Sequence, residues 1–319
     1  HYIDGHYATP APTILGHEAA GIVEKVGADV HYVRPGDHVI SCLSVFCGHC
    51  HHCTTGRPFI CESPDTARAA SAPPRLSQDG VPVHQFYNLS SFAEYMLVHE
   101  HALVKIRPDM PLDRAALIGC AVTTGFGAVT NTAKIEIGAT IAVIGCGGIG
   151  LSAINGAAIA GAGRIIAIDL NDGKLETARR FGATDTVNAA RTDPVEAVRE
   201  MTGGGVAYAF EAIGMKQTTE QAFRMLATGG MATVIGMVPA GQMVEIEAAE
   251  LINDKVLRGS NMGSNRFRVD MPNYVEFYLD GKLHLDSMIA QRIGLADINE
   301  AFAEMKRGEI ARSVITFDI

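Results

Sequence analysis

The stretch that decides the fold of this chain is Ile141-Ala142-Val143-Ile144-Gly145-Cys146-Gly147-Gly148-Ile149-Gly150. A short β-branched strand runs directly into glycines with G-x-G-x-x-G spacing and then into a helical segment, which is the context that this motif requires. Glycine lets the backbone turn sharply, lets a pyrophosphate approach, and lets helix and strand pack closely, with the anion at the helix N-terminus. We therefore assign Gly145, Gly147, Gly148 and Gly150 to dinucleotide binding.

From Thr140 onward, short β-branched segments alternate with segments of helical length and spacing. The predicted strands are Ile141–Ile144, Arg164–Ile168, Val206–Phe210 and Ala232–Ile235. The predicted helices are Ile149–Ala160, Gly173–Phe181, Pro194–Met201 and Lys216–Leu226, with Gly182 and Gly229-Gly230 as stops. This alternation predicts an α/β fold with a doubly wound parallel sheet of the Rossmann type.

Asp169 ends the second predicted strand, nineteen residues after Gly150. A carboxylate at this point can accept hydrogen bonds from the ribose hydroxyls of the adenosine half, and it would repel a 2'-phosphate. The sequence therefore favours NAD over NADP, and Lys174 lies where it could reach the ribose or a phosphate. The alternative is a glycine-rich turn in which Asp169 caps a helix.

Length and charge restrict the partners. A chain of 319 residues predicts two domains, and a net charge of -9 argues against a nucleic-acid partner. We find neither a stretch that is long and apolar enough to span a membrane nor a secretory segment, so we expect a cytoplasmic protein with no membrane partner.

The first part of the chain predicts a small β-rich domain. Strand-like runs occupy Ala20 to Val26, His38 to Ser41, Phe92 to Val98 and Ala102 to Ile106. Residues 62–82 are rich in Pro, Ala and Ser and are predicted to form a long surface loop.

Four cysteines crowd into a span of fifteen residues and predict a structural zinc site. Cys47, Cys50, Cys53 and Cys61 can converge on one tetrahedral ion, and a closed four-sulfur shell is typical of structural zinc. A disulfide knot, a redox Cys-x-x-Cys and an iron-sulfur cluster are the alternatives. The nearby histidines are expected to be solvated loop residues; they are His49, His51 and His52.

Two further segments carry potential metal ligands. Gly16-His17-Glu18 lies early in the chain, and Cys120 lies just before the nucleotide-binding region. A lone histidine beside a glutamate, or a lone buried cysteine, more often has a structural role. Together with the four-cysteine lobe and the glycine motif, they resemble the zinc-dependent alcohol dehydrogenases of the medium-chain dehydrogenase/reductase family, along the whole chain.

The resemblance implies an enzyme with two domains. Residues 1–122 and 263–319 would form a GroES-like catalytic domain that carries the structural zinc lobe 47–61, and residues 123–262 would form the Rossmann NAD-binding domain. His17 and Cys120 would hold a second, catalytic Zn²⁺, with Glu18 close to the metal. The zinc would lower the pKa of a bound alcohol, and hydride would pass from the resulting alkoxide to nicotinamide C4.

Further roles also follow from the resemblance. His1 would pass the alcohol proton to solvent, and Ile149, Ile213 and Arg312 would bind the cofactor, Arg312 at the pyrophosphate. The substrate pocket would be lined by mostly apolar residues, namely Leu43, Phe92 and Thr124. An alcohol or its aldehyde would fit such a pocket.

The sequence departs from the family at its start. The family's first cysteine ligand normally lies a few residues before the position of His1, and Cys42 is a poor substitute because it lies on the approach to the zinc lobe. We therefore expect an N-terminally truncated chain whose natural gene encodes that ligand.

Two alternative functions stay open on the sequence alone. One is a formaldehyde dehydrogenase that acts on a thiol adduct, although Tyr7 and Asp65 do not supply the charges expected for it. The other is a zinc-stabilised nucleotide-binding protein without activity, because the first catalytic ligand is missing. The family pairs its cofactor domains, so the edge segment Leu257–Met262 predicts a homodimer and leaves a homotetramer open.

Overall fold

The computed structural model describes residues 2–3, 5, 7–63, 66, 72–307 and 312–317. The chain forms two compact units, one of residues 8–120 with 265–319 and one of residues 1–7 with 121–264. We call them the β-rich unit and the nucleotide unit. The assignment of 1–122 with 263–319 and of 123–262 to two family domains stays a prediction.

In chain order, the strands are β1 (Thr13–Ile14), β2 (Ala20–Ile22), β3 (His38–Ser41), β4 (Leu76–Gln78), β5 (Val81–Gln85), β6 (Leu103–Lys105), β7 (Thr140–Ile144), β8 (Arg164–Asp169), β9 (Asp185–Asn188), β10 (Val206–Glu211), β11 (Leu226–Val234), β12 (Val256–Gly259), β13 (Gln291–Ile293) and β14 (Ser313–Ile315).

The α-helices follow the same order: α1 (His51–Thr54), α2 (Leu112–Leu117), α3 (Thr123–Gly127), α4 (Gly148–Ile159), α5 (Asp172–Arg180), α6 (Pro194–Thr202), α7 (Lys216–Arg224), α8 (Phe267–Leu279) and α9 (Ile298–Arg307). Residues 118–122 and 128–133 form π-helical turns that adjoin α3.

The nucleotide unit is built on one parallel sheet. Its strand order is β12-β11-β10-β7-β8-β9, and every neighbouring pair runs parallel. The order reverses between β7 and β10, which is the switch point where such sheets bind nucleotides. Ile144 and Ile166 of the sheet and Phe223 of α7 belong to one buried hydrophobic cluster. The predicted α/β Rossmann fold is confirmed.

Local sequence signals explain where the helices of this unit begin and end. The Asp193 carboxylate accepts from the backbone N–H groups of Val195 and Glu196, and Pro194 occupies the first turn of α6. Gly203, at φ 70, ends the helix in the left-handed conformation.

The predicted helix stop at Gly229-Gly230 is wrong. α7 ends at Arg224, and β11 begins at Leu226 and runs through both glycines. The pairing of β10 with β11 shifts register near this point, and Gly229 has φ 73. The glycines therefore mark a bulge inside the strand rather than a helix end.

Small sheets make up the β-rich unit. β2-β3-β6 is antiparallel, and β1-β5-β4 and β13-β14 are separate sheets. Val33, Val39 and Leu103 form a buried cluster at the first of these. β3 coincides with the predicted strand, whereas β2 is shorter than predicted and ends at Ile22, because the pairing with β3 stops there.

The predicted loop over residues 62–82 contains a hairpin. β4 and β5 pair antiparallel around Asp79 and Gly80, which have φ values of 50 and 80. Two successive positive φ values are those of a type I′ turn, for which Asp-Gly is a preferred pair. The Asp-Gly signal outweighs the loop-like composition of the preceding residues.

The predicted strand from Phe92 to Val98 does not form. Among the described residues, two backbone hydrogen bonds hold the start of this segment, from Ser91 N to Gly16 O at 3.0 Å and from Phe92 N to Leu15 O at 3.1 Å. Tyr95 and Leu97 are exposed, so the alternating apolar residues of this segment do not cover a core.

One stretch differs from the sequence expectation about membranes. Within the described residues, Leu112–Ala133 is helical and, by length and composition alone, long and apolar enough to cross a membrane. Most of its most apolar window is buried inside the protein, as in a core helix. The cytoplasmic location expected above stays a prediction.

Candidate functional site: two metal-donor groups and a nucleotide cradle

The sulfur atoms of the four-cysteine lobe converge on one point. The Sγ atoms of Cys47 and Cys53 lie 3.9 Å apart, and those of Cys50 and Cys61 lie 3.8 Å apart. Sulfur atoms bound tetrahedrally at about 2.3 Å from zinc would be separated by about 3.8 Å. All four cysteines are free rather than paired in disulfides, so the lobe fits one zinc ion.

Backbone groups prepare this lobe for a cation. Burial opposes the Cys47 thiolate, but backbone N–H groups of His49 and Cys50 lower the pKa of Cys47 to about 6. Burial and the neighbouring thiols raise the pKa of Cys53 to about 12. A divalent cation would remove this mutual repulsion between the sulfur atoms.

A second donor group lies elsewhere in the β-rich unit. Ligand atoms of His17, Glu18 and Cys120 all lie within 4.8 Å of one another. Cys120 is placed by the π-helical turn at residues 118–122, a distortion that is frequent at functional sites. The structure thus brings Cys120 close to His17 and Glu18, although Cys120 lies 103 positions after His17 in the sequence.

Gly16 allows the chain to present His17. Its φ is +90, and a Cβ atom there would lie 2.4 Å from Ser91 Oγ and 2.8 Å from Phe92 N. A side chain at this position would therefore displace the segment that carries His17 and Glu18. Glycine in the Gly-His-Glu motif is a steric requirement of this site.

Burial and charge set the state of this group. Burial lowers the pKa of His17, against the smaller opposing effect of the Glu18 carboxylate. The neutral imidazole that results is the form that binds a metal. Nη1 of Arg312 donates to Oε1 of Glu18 at 2.9 Å, and the carboxylate raises the pKa of the Arg312 guanidinium.

An aromatic wall that the sequence did not reveal flanks His17. Its ring centroid lies 5.9 Å from that of Phe86 and 6.3 Å from that of Tyr87. Tyr87, Asn88 and Ser90 have φ values of 51, 57 and 55, a region that non-glycine residues rarely adopt.

Hydrogen bonds hold this strained turn next to the donor segment. Ser90 Oγ donates to Ile14 O at 2.8 Å and accepts from Phe86 N at 2.9 Å. No local pattern in the sequence predicts three left-handed residues that are not glycine, so the wall was missed.

The predicted pocket residues are divided between the two units. Leu43 and Phe92 are half-buried in the β-rich unit, where the Phe92 ring packs edge-on against Phe302 at 6.1 Å. Thr124 is buried in the nucleotide unit and contacts Met262 Sδ at 3.4 Å. Their common role in a substrate pocket stays a prediction.

The glycine motif forms a cradle in the nucleotide unit. A Cβ on Gly150 would lie 1.7 Å from Gly145 O, and one on Gly145 would lie 2.7 Å from Ile213 Cγ1. A Cβ on Gly147 would meet no atom within 4 Å. Gly145 and Gly150 are thus required by packing, and Gly147 leaves an open approach to the start of α4, where an anion can bind.

Asp169 lies at the end of β8 and does not cap α5. Its Oδ2 accepts from Cys146 N at 2.9 Å and its Oδ1 accepts from Asn171 N at 3.1 Å. Asn171 is the cap, since it accepts from the N–H groups of Gly173 and Lys174. This arrangement fixes the Asp169 carboxylate beside the glycine turn.

The remaining predicted residues are placed as follows. Ile149 is half-buried in α4, Lys174 lies in the first turn of α5, and Ile213 is 42% exposed. His1 lies outside the described residues. Arg312 is engaged with Glu18, so its role at a pyrophosphate stays a prediction.

Comparisons with known proteins show the family of this chain. A family described as Zinc-binding dehydrogenase matches residues 148–280, and one described as Alcohol dehydrogenase GroES-like domain matches residues 1–108. The chain is 38% identical to the alcohol dehydrogenase class-3 of Zea mays, over 97% of this chain and 83% of that protein.

Two other relatives are similar over nearly the whole chain. The S-(hydroxymethyl)glutathione dehydrogenase of Paracoccus denitrificans is 38% identical, over 96% of this chain and 85% of that protein. The benzyl alcohol dehydrogenase of Acinetobacter calcoaceticus superposes with a TM-score of 0.91 at 32% identity, over 99% of this chain and 87% of that one. The chain therefore belongs to the zinc-dependent alcohol dehydrogenases of the medium-chain dehydrogenase/reductase family.

Proposed function

We propose that the chain oxidises a primary or small secondary alcohol to its carbonyl product with NAD, and catalyses the reverse reduction. The observation that carries the proposal is the second donor group of His17, Glu18 and Cys120. A closed four-sulfur shell has no position for substrate, whereas a site that His17 and Cys120 hold, with Glu18 close to the metal, leaves room for one. His17 and Cys120 would hold the zinc, which supplies Lewis acidity to an alcohol oxygen.

Residues around the donors prepare this chemistry. Burial keeps the His17 imidazole neutral, and Arg312 fixes the orientation of the Glu18 carboxylate at 2.9 Å. Phe86 and Tyr87 make the surroundings of His17 apolar, which suits the hydrocarbon part of an alcohol.

The nucleotide unit supplies the hydride acceptor. Gly147 opens the N-terminus of α4 to a pyrophosphate, and Asp169 offers a carboxylate to the adenosine ribose. The same carboxylate would repel a 2'-phosphate, which supports NAD as the preferred cofactor.

A second candidate substrate is a thiol adduct of formaldehyde. It is supported by relatives that are named S-(hydroxymethyl)glutathione dehydrogenase. In this chain Tyr7 donates to Val238 O at 3.0 Å, and Asp65 lies outside the described residues. The third alternative, a nucleotide-binding protein without activity, finds no support among these relatives, which are all named as dehydrogenases.

The test is a substrate panel on the purified protein, followed by NADH absorbance. Primary, secondary and aromatic alcohols are assayed with NAD and with NADP, and formaldehyde is assayed with and without glutathione. We expect turnover with alcohols and a preference for NAD. Turnover with formaldehyde only when glutathione is present would favour the second candidate, and no turnover with any substrate would contradict both.

We also propose that two chains pair through β12. This strand lies at the edge of the six-stranded sheet and, within the described residues, has β11 as its only sheet neighbour. It spans Val256–Gly259 rather than the predicted Leu257–Met262, because a 3-10 turn occupies Met262–Ser264. An exposed edge can pair with its copy. Sedimentation equilibrium should give a dimer or a tetramer, and a monomer would contradict the proposal.

A further inference from the structure

Glu211 is a fully buried acid at the carboxyl end of β10. Its exposed fraction is 0%. Its Oε1 accepts three hydrogen bonds, each of 2.8 Å, from the backbone N–H groups of Ile213 and Gly214 and from the Thr218 hydroxyl. The carboxylate therefore fixes the turn that follows β10 onto the first turns of α7.

The other oxygen of this carboxylate has no hydrogen-bond partner among the described residues. Oε2 faces Gly236, where a Cβ atom would lie 2.7 Å from it. All partners of Oε1 are neutral, so neither oxygen has a cationic partner in the described part of the chain. A buried carboxylate without a compensating charge destabilises the fold.

The turn that Glu211 fixes lies against the glycine cradle. Ala212 N donates to Ile144 O at 2.9 Å, and Ile213 Cγ1 packs on Gly145. Glu211 is also the register partner of Ile144, the last residue before the cradle. The carboxylate therefore lies immediately beside the motif that binds the dinucleotide, on the β10 side.

The sheet order decides which half of the dinucleotide lies on that side. Asp169, at the end of β8, marks the adenosine side of β7. A dinucleotide binds across the switch point, so its second half extends over the other neighbour of β7, which is β10. The buried charge of Glu211 thus lies on the nicotinamide side of the cradle.

We propose that Glu211 is a positioning and electrostatic residue that favours the oxidised cofactor over the reduced one. The nicotinamide ring carries a positive charge in NAD⁺ and none in NADH, so a fixed negative charge on its side of the cradle stabilises the oxidised form selectively. At the effective dielectric of a protein, one charge about 10 Å away changes an affinity on the order of tenfold. The inference rests on the NAD binding proposed above.

The test compares the affinities of the two redox forms. Glu211→Gln keeps the shape and an acceptor for all three donors but removes the charge. By calorimetric titration at neutral pH, the Kd for NAD⁺ should rise about tenfold while that for NADH changes less than about twofold. Equal changes for the two forms, or none, would overturn the inference.

Two variants serve as controls. Thr218→Val removes one donor and keeps the charge, so the ratio of the two Kd values should match that of the wild type. Asp169→Asn acts at the adenosine ribose, which both redox forms share, so it should weaken both by a similar factor. A changed ratio in either control would mean that the ratio reports structural damage, which contradicts the inference.

A second measurement needs no variant, should Glu211→Gln fail to fold. The wild type should bind NAD⁺ about tenfold more tightly than the benzamide analogue of NAD⁺, whose ring is planar and neutral. Equal affinity would overturn the role of Glu211 alone. Absence of binding of both NAD⁺ and NADH to the wild type would instead overturn the proposed function.

Discussion

Nη1 of Arg312 lies 2.9 Å from Oε1 of Glu18, the carboxylate that adjoins the proposed metal donor His17. About a fifth of each side chain is exposed, so the pair is shielded from solvent more than a surface ion pair. The guanidinium occupies one oxygen of the carboxylate. We therefore expect Arg312 to restrain Glu18 from acting as an additional metal ligand.

Arg312→Gln should therefore impair the reaction without loss of metal. A freed Glu18 would compete with the alcohol oxygen for the open position on zinc. We expect the KM for alcohol to rise roughly tenfold, about 1.4 kcal/mol, with unchanged zinc content. Steady-state kinetics and elemental analysis check this. An unchanged KM would show that the pair does not restrain Glu18.

Tyr87→Leu should change substrate preference. The Tyr87 ring lies 6.3 Å from the His17 ring and is 45% exposed. Because ring pairs contribute about 0.5–1.5 kcal/mol, kcat/KM for benzyl alcohol relative to ethanol should fall up to about tenfold. Tyr95→Leu, at an exposed site, is the matched control. Equal ratios in all three proteins would exclude Tyr87 from the substrate wall.

Asp169→Asn should relax cofactor selectivity. The substitution removes the negative charge that repels a 2'-phosphate. The amide oxygen of the new side chain can still accept from Cys146 N and Asn171 N. The ratio of kcat/KM for NAD to that for NADP should fall on the order of tenfold. A ratio that stays at the wild-type value would mean that another residue selects the cofactor.

The fold of the nucleotide unit was predictable because each of its signals is local. The glycine motif and the alternation of β-branched strands with helical segments indicate the parallel sheet, and Asp169 lies beside the glycine turn. Gly229-Gly230 is ambiguous in the sequence because a glycine pair marks either a helix end or a bulge, and the pairing of β10 with β11 decides between them.

The β-rich unit was less predictable because it depends on non-local pairing. The turn at Asp79 and Gly80 carries a hairpin signal that the composition of residues 62–82 conceals. Phe92–Val98 has a strand-like pattern but is not paired as a strand. The wall of Phe86 and Tyr87 depends on Ser90 bonding to Ile14, a contact over 76 positions.

The stability of the nucleotide unit should depend on pH through Asp185. The hydrogen bond from Arg164 lowers the pKa of Asp185 to about 2. A lowered pKa in the folded state means that the stabilisation is complete above the unfolded value near 3.8 and is lost as the pH falls towards 2. The side chains of Arg164 and Asp185 are both partly exposed, so the stabilisation by this ion pair at neutral pH should be about 1 kcal/mol.

Urea unfolding of wild type and Asp185→Asn at two pH values checks this. The wild type should be more stable at neutral pH, and the difference should shrink below the unfolded pKa of Asp185. A difference that is independent of pH would contradict the assignment to this ion pair.

Cys53→Ser should remove one zinc ion and lower thermal stability. The serine hydroxyl is a poor zinc ligand, and the lobe would lose the cation that joins its four sulfur atoms. We expect one zinc fewer per chain and a Tm lower by roughly 5–10 °C. NAD affinity should persist, because the cradle belongs to the other unit. An unchanged Tm would contradict a structural role for the lobe.

The most direct test of the central claim is the zinc content and turnover of Cys120→Ser, with Cys42→Ala as a control that removes a buried thiol outside both donor groups. The wild type and the control should each hold two zinc ions and reduce NAD with an alcohol. Cys120→Ser should hold one and lose turnover by about a thousandfold or more. Two zinc ions and full turnover in Cys120→Ser would contradict the claim that Cys120 and His17 hold the catalytic metal.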